Sequence, residues 1–120
     1  MFPSSVPVIS GVELDSMLSK DRTSSSPFST GKLLLVDFFA DWCSPCRVVA
    51  PKVQELAERY PAVRVVKVDV SAPQSSREAL DIRGLPTFKI YKDGLRQFTY
   101  TGTNIDTVEQ TLQKIGKMSD

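Results

Sequence analysis

The chain has 120 residues, of which 41% are hydrophobic and 24% are charged. This composition is typical of a globular protein, and the length predicts one domain, residues 1–120, whose core needs no disulfide staples or structural metal. Fifteen Lys and Arg residues against fourteen Asp and Glu residues leave a net charge of +1. We therefore expect no surface dedicated to nucleic acid or to an anionic membrane.

The chain contains two cysteines and no histidine. A small secreted scaffold would spread several cysteines along its length, so this usage favours a reducing compartment, and we expect a cytoplasmic protein. No stretch approaches the roughly 20 apolar residues that span a bilayer, and residues 1–10 lack the pattern of a signal peptide. The absence of histidine excludes Ser-His, Cys-His and His-metal mechanisms.

The first thirty residues predict a strand, a helix and a loop. Residues 1–5 are expected to form a loose extension, and the apolar residues 6–9 a short strand. Ser10 stands where a helix N-cap is expected, ahead of apolar residues at helical spacing. Residues 22–31 are rich in turn formers, including a serine run, and predict a surface loop.

The middle of the chain predicts two strands and two helices. Residues 32–40 form a continuous apolar run, which indicates a central strand buried on both faces. Residues 43–60 have the spacing of an amphipathic helix, in which Pro51 predicts a kink rather than an end. The β-branched residues 63–70 predict a strand, and residues 72–82 a shorter helix.

The last third predicts a hairpin and a final helix. Residues 87–91 and 95–101 read as strands joined by the turn Lys92-Asp93-Gly94. A last helix is expected from Asn104 onward. Early alternation of strands and helices with a late hairpin predicts an α/β fold, in which helices cover both faces of a mixed sheet.

The two cysteines form a Cys-x-x-Cys pair at the predicted start of a helix. This position places the thiol of Cys43 beside unpaired backbone N–H groups and the positive helix end, which stabilise a thiolate. A thiolate attacks disulfides, so Cys43 is the expected nucleophile, and Cys46, one turn deeper, the resolving thiol. Pro45 suits the first turn of a helix, because a backbone N–H there has no partner within the helix and its absence costs no hydrogen bond.

Two other interpretations of the pair remain open at this point. Half of a zinc site is one of them, but tetrahedral zinc takes four ligands and the chain offers two thiols and no imidazole. Buried structural cysteines are the second, although Trp42 before the pair and Pro45 within it indicate a strand-to-helix turn. Both interpretations are weaker than redox chemistry.

Several segments, in order and at the right spacing from about Lys32 to the end, resemble thioredoxin. The matching segments are Val36-Asp37-Phe38-Phe39-Ala40-Asp41-Trp42-Cys43-Ser44-Pro45-Cys46-Arg47 followed by Ala50-Pro51, Lys67-Val68-Asp69, Ile82-Arg83-Gly84-Leu85-Pro86-Thr87 and Lys92-Asp93-Gly94. The resemblance implies the thioredoxin fold, a central mixed five-stranded sheet flanked by four helices. It also implies a monomeric reductant of client-protein disulfides with no bound cofactor, served by a thioredoxin reductase that draws on NADPH.

Asp37 lies in the apolar strand before the cysteine pair. Burial there would raise its pKa and let it take the proton of Cys46. A solvated aspartate at the strand end is the alternative. The resemblance also points to Lys67 as a compensating charge, although an alternating strand can equally direct a lysine to water.

Pro86 opens a predicted strand and would leave backbone groups of Leu85 free to bond an extended substrate. The resemblance implies a cis bond before Pro86; a plain proline at a strand start is the alternative. Trp42 is expected to pack over the site and contact substrates, unless it belongs to the core. The resemblance extends substrate contact to Ser44 and Pro45.

Ser44 departs from the family, which most often has Gly-Pro between its cysteines. We expect a modest change in redox potential and no change of reaction. Two rival functions remain: a thiol oxidase or isomerase of the same fold, and a binding module whose thiols are incidental. Strong oxidants of this fold carry a histidine between the cysteines, which Ser44-Pro45 lacks.

Overall fold

A computed structural model describes residues 6–23 and 31–118, and shows five strands and four helices within those ranges. The predictions for residues 1–5 and for residues 24–30 of the loop lie outside the described residues. The predicted start of the loop at residue 22 is wrong, because residues 22 and 23 belong to the first helix. In chain order, the elements are β1 Val8–Ile9, α1 Gly11–Thr23, β2 Leu33–Phe39, α2 Ser44–Arg59, β3 Arg64–Asp69, α3 Arg77–Leu80, β4 Thr87–Lys92, β5 Leu95–Thr101 and α4 Ile105–Met118.

The strands form one mixed sheet in the order β1-β3-β2-β4-β5. The strand β2 pairs in parallel with β3 and antiparallel with β4, and β5 completes the hairpin at one edge. The apolar run of residues 32–40 therefore supplies the central strand, as predicted. Its carboxyl end carries the chain directly into the cysteine turn and α2.

Alternation along β2 divides the core between the two faces of the sheet. Leu35 packs with apolar side chains of α2 and α4, whereas Leu34, Val36 and Phe38 pack with those of α1 and α3. Because successive strand residues point to opposite faces, Asp37 shares the face of Leu35. The aspartate is thus directed toward α2, which carries the cysteines.

Helix α1 begins with a capping box. The hydroxyl of Ser10 accepts the N–H of Glu13 at 3.1 Å, and the Glu13 carboxylate accepts the N–H of Ser10 at 3.3 Å. This exchange satisfies two N–H groups at the helix start and confirms the predicted cap. The strand before it is shorter than predicted, Val8–Ile9 instead of residues 6–9.

The prediction of a helix over residues 72–82 is wrong in length, since α3 is one turn long, Arg77–Leu80. The preceding residues use side chains for their hydrogen bonds. The Asp69 carboxylate accepts the N–H of Ser71 at 2.9 Å, and Gln74 donates its amide to the Asp69 carbonyl at 2.9 Å. Such local bonds compete with helix formation, and Pro73 supplies no N–H donor.

Two further backbone predictions concern Pro51 and the hairpin. Pro51 lies inside α2, which continues to Arg59, so it does not end the helix, as predicted. Asp93 and Gly94 have φ values of 53° and 81°, the conformation of a tight hairpin turn. Gly94 is also crowded, because an added Cβ would lie 2.4 Å from the carbonyl oxygen of Leu18. Within the described ranges, no helix is long and apolar enough to cross a membrane.

Candidate active site

Cys43 and Cys46 form a disulfide at the N-terminus of α2, with Cα atoms 5.3 Å apart. Cys43 is the N-cap residue in extended conformation, and its Sγ accepts the backbone N–H of Cys46 at 3.2 Å. The predicted placement of Cys43 at the helix end is confirmed. In the reduced protein, backbone N–H groups and the helix dipole would stabilise the thiolate form of Cys43.

The two cysteines are equally buried in the disulfide form, each 4% exposed. They differ in the space that each one borders. Cys43 lines a cleft of about 490 Å³, whereas Cys46 lines a separate, smaller pocket of about 120 Å³ with Lys67 and the exposed Asp41 and Arg47. Cys43 therefore faces the larger of the two spaces, which offers more room to a substrate chain.

Asp37 is 1% exposed, so the alternative of a solvated strand-end aspartate is wrong. Its Oδ1 atom has no hydrogen-bond partner among the described residues. Burial raises the pKa of the Asp37 carboxyl to about 6, and the positive charge of Lys67 opposes that rise. A buried carboxyl with such a pKa is ionised at neutral pH and still takes up a proton readily.

Lys67 lies opposite Asp37 in the parallel register of β2 and β3. Its Nζ atom is 4.4 Å from the ring centroid of Phe39, a cation–π contact. The side chain is partly buried and borders the smaller pocket of Cys46, so the alternative of a lysine directed to open water is wrong. Its charge reaches Asp37 through space.

The bond between Leu85 and Pro86 is cis, as the resemblance implied. Strand β4 starts at Thr87, and the carbonyl of Pro86 accepts the N–H of Gly102 at 3.1 Å. No backbone hydrogen bond of Leu85 is present among the described residues. Leu85 lines the cleft beside Cys43, so its N–H and C=O can pair with an extended chain there.

The remaining predicted contact residues also border the cleft. Trp42 is 71% exposed, so the alternative of a core tryptophan is wrong. Ser44 and Pro45 are exposed and line the cleft with it. A large exposed aromatic beside a reactive pair offers contact area to a partner.

Four cleft residues were not predicted from the sequence as contact positions. Val70 follows β3, and Ile82, Arg83 and Gly84 precede Leu85. Their proximity to Cys43 depends on the pairing of β3 and β4 with β2, which local sequence does not show. Within the described ranges, no cluster of three or more Cys, His, Asp or Glu residues could hold a metal ion.

Comparison with known proteins places the chain among thioredoxins. The thioredoxin family model matches residues 18–114. A thioredoxin of Aspergillus fumigatus is 43% identical over 100 residues, which cover 82% of this chain and 87% of that protein. The structure of Fasciola hepatica thioredoxin superposes with a TM-score of 0.75 at 31% identity, covering 91% of this chain and 97% of that one.

A structure described as a complex of ferredoxin:thioredoxin reductase and thioredoxin f2 also matches. Its matching chain has a TM-score of 0.73 and 26% identity over 91% of this chain and 93% of that chain. With the disulfide at the helix N-terminus, these similarities define the chain as a thiol-disulfide oxidoreductase. It belongs to the thioredoxin family, and the expected thioredoxin fold is confirmed.

Proposed function

We propose that this thioredoxin-family protein reduces disulfides of client proteins through a mixed disulfide on Cys43. The observation that carries the proposal is the unequal surroundings of the two sulfurs. Cys43 borders the cleft of about 490 Å³, and Cys46 borders the smaller pocket of about 120 Å³. A client disulfide can approach the first sulfur, and the second is reserved for the intramolecular step.

The reaction starts from the dithiol. The Cys43 thiolate attacks one sulfur of the client, its S–S bond breaks, and the first client thiolate leaves. The thiol of Cys46 then loses its proton and attacks the Cys43 sulfur. The second client thiolate leaves, so the client gains two electrons and this protein becomes the disulfide.

Asp37 is the proposed base for the second step. It shares the sheet face that carries α2, and burial has raised its pKa to about 6. The carboxylate accepts the proton of Cys46, and Lys67 limits the cost of holding the negative charge in an apolar site.

The client is proposed to bind as an extended chain along the cleft. The free backbone groups of Leu85 support β-type hydrogen bonds beside Pro86, and Trp42, Ser44 and Pro45 supply the facing surface. A monomer suffices for this reaction because both thiols, the base and the cleft belong to one chain.

The oxidised protein is proposed to be re-reduced by a thioredoxin reductase that draws on NADPH, with no cofactor bound to this chain. The complex of ferredoxin:thioredoxin reductase and thioredoxin f2 supports a reductase as a partner class. The cytoplasm, a reducing compartment, is the proposed location. This direction of electron flow is tested by the redox potential of the Cys43–Cys46 couple, which must lie near that of reductants rather than strong oxidants.

The chemistry is tested with insulin as client and dithiothreitol as the source of electrons. The wild type should accelerate reduction of insulin, and Cys43→Ser should abolish that acceleration. In a separate reaction without dithiothreitol, pre-reduced Cys46→Ser mixed with insulin should accumulate a mixed disulfide on Cys43. Mass spectrometry of the trapped species identifies the attached chain. Full activity of Cys43→Ser, or a mixed disulfide on Cys46 alone in the wild type, would refute the proposal.

A further inference from the structure

Lys89 is a charged side chain in the middle of the apolar strand β4, and it is 1% exposed. Lysine is seldom fully buried unless it is paired. Its Nζ atom donates to the Oδ1 of Asp81 at 2.7 Å and to the carbonyl oxygen of Glu78 at 2.7 Å. The Glu78 carboxylate lies 3.6 Å away as a second negative group.

Both acceptors belong to α3 or to the residue that follows it. A helix of one turn has little stability of its own. Its N-cap residue, Ser76, makes no capping bond, because its hydroxyl donates to Asp15 of α1 at 2.7 Å. The position of α3 therefore depends on bonds to other elements. Lys89 supplies the buried charged contacts from the sheet, and Arg96 of β5 adds a more exposed one, 3.6 Å from the Asp81 carboxylate.

Asp81 leads directly into residues 82–85, which line the cleft and which we call the client wall. The far end of this wall is held by Thr87, whose hydroxyl donates to the Gly84 carbonyl at 2.6 Å. The near end is held through Asp81, by the 2.7 Å bond from Lys89 and by the longer, 3.6 Å contact from Arg96. A strand residue on the face opposite the cysteines thus fixes one border of the cleft.

We propose that Lys89 is a positioning residue that determines how well the cleft accepts protein clients. This inference rests on the proposed function, in which the client lies against Leu85. When the client wall is already ordered before binding, the free energy of binding contains no entropy cost for ordering it. A small disulfide reaches the Cys43 sulfur without lying along the wall, so its rate should not depend on Lys89.

The test compares Lys89→Met, which keeps the length and apolar stem but removes the donors, with the wild type. Reduced protein is mixed with insulin or with a small aromatic disulfide, and Trp42 fluorescence reports oxidation, since it is the chain's one tryptophan. The rate constant with insulin should fall about fivefold, the factor that one lost hydrogen bond represents, and the small-disulfide rate should stay within about twofold. Lys20→Met, an exposed lysine of α1, is the matched control and should change neither rate.

A second variant guards against misfolding of Lys89→Met. Asp81→Ala removes the carboxylate that accepts the hydrogen bond of Lys89, and the Asp81 side chain is 53% exposed. This variant should also lower the rate constant with insulin. In both variants, amide hydrogen exchange of Leu80, Asp81 and Ile82 should accelerate, and the redox potential should stay unchanged. These three N–H groups bond within or next to α3.

The possible results distinguish the positioning role of Lys89 from the proposed reduction of client disulfides on which it rests. Equal loss of both rates, an altered potential, or unchanged insulin rates in both variants would overturn the positioning role while leaving client reduction intact. A wild type that reduces the small disulfide but not insulin would overturn the proposed function and this inference together. A purely structural role would lower the free energy of unfolding without changing the ratio of the two rates.

Discussion

Asp37 and Lys67 lie opposite each other in the register of β2 and β3, yet no ion pair joins them among the described residues. The Lys67 ammonium lies over the ring of Phe39 instead. The lysine therefore acts on the carboxylate through space. The Oδ1 atom of Asp37 has no hydrogen-bond partner among the described residues. This arrangement keeps the carboxyl basic, which direct pairing would prevent.

Asp37→Asn should stabilise the oxidised protein at neutral pH by up to about 3 kcal/mol, the free energy that corresponds to the raised pKa. The folded-state pKa of about 6 lies above the ordinary value of 3.8. The folded chain therefore binds more protons between these values, and wild-type stability falls as pH rises through that window. Urea unfolding of both proteins at several pH values measures the difference, which should vanish below about pH 4.

The exposed neighbour Asp41 provides the control for this prediction. Asp41→Asn should leave the pH dependence of unfolding as in the wild type. A constant difference between Asp37→Asn and the wild type at all pH values would contradict the assignment of the effect to ionisation.

Lys67→Met should raise the pKa of the Asp37 carboxyl further. The positive charge of Lys67 favours the ionised form, and its removal leaves desolvation unopposed. Carbon-13 NMR of the Asp37 carboxyl in the oxidised protein follows the titration directly. Lys52→Met, an exposed position of α2, should leave the curve unchanged; a downward shift in Lys67→Met would show that the lysine acts differently.

Ser44→Gly should change the redox potential by less than about 30 mV, a tenfold change in the exchange equilibrium. Ser44 is exposed, and its side chain makes no described hydrogen bond to either sulfur. The bond from the Cys46 N–H to the Cys43 sulfur does not involve this side chain. Equilibration with a reference dithiol measures the potential; a shift several times larger would assign Ser44 a direct part in thiolate stability.

Two glycine substitutions should have opposite effects on stability. Gly94→Ala places a Cβ at a φ of 81° against the Leu18 carbonyl, so it should destabilise the fold by more than about 1 kcal/mol. Gly116→Ala lies in α4, where the nearest atom to the new Cβ is 3.9 Å away, so it should stabilise by about 0.5 kcal/mol. Thermal unfolding of both variants measures these changes; loss of stability in Gly116→Ala would show that the added methyl group does not fit at that position.

Patterns within short segments were enough to predict much of this protein. The apolar run before the cysteines predicted the central strand, Ser10 predicted a helix cap, and Lys92-Asp93-Gly94 predicted the hairpin turn. The prediction of a helix over residues 72–82 was wrong in length, because side-chain hydrogen bonds around Asp69 replace the backbone hydrogen bonds of a helix there. Such competition depends on side-chain geometry that a periodicity does not contain.

The sequence by itself determined the reactive pair, its place at a helix start, and, through resemblance, the cis bond before Pro86. Only the tertiary structure decided which space each sulfur borders, because the cleft and the smaller pocket are each built from segments distant in the chain. It also decided the place of Lys89, a lysine that burial alone would disfavour. The register of β4 against β2 brings its ammonium under α3, where two carboxylates and a carbonyl compensate its charge.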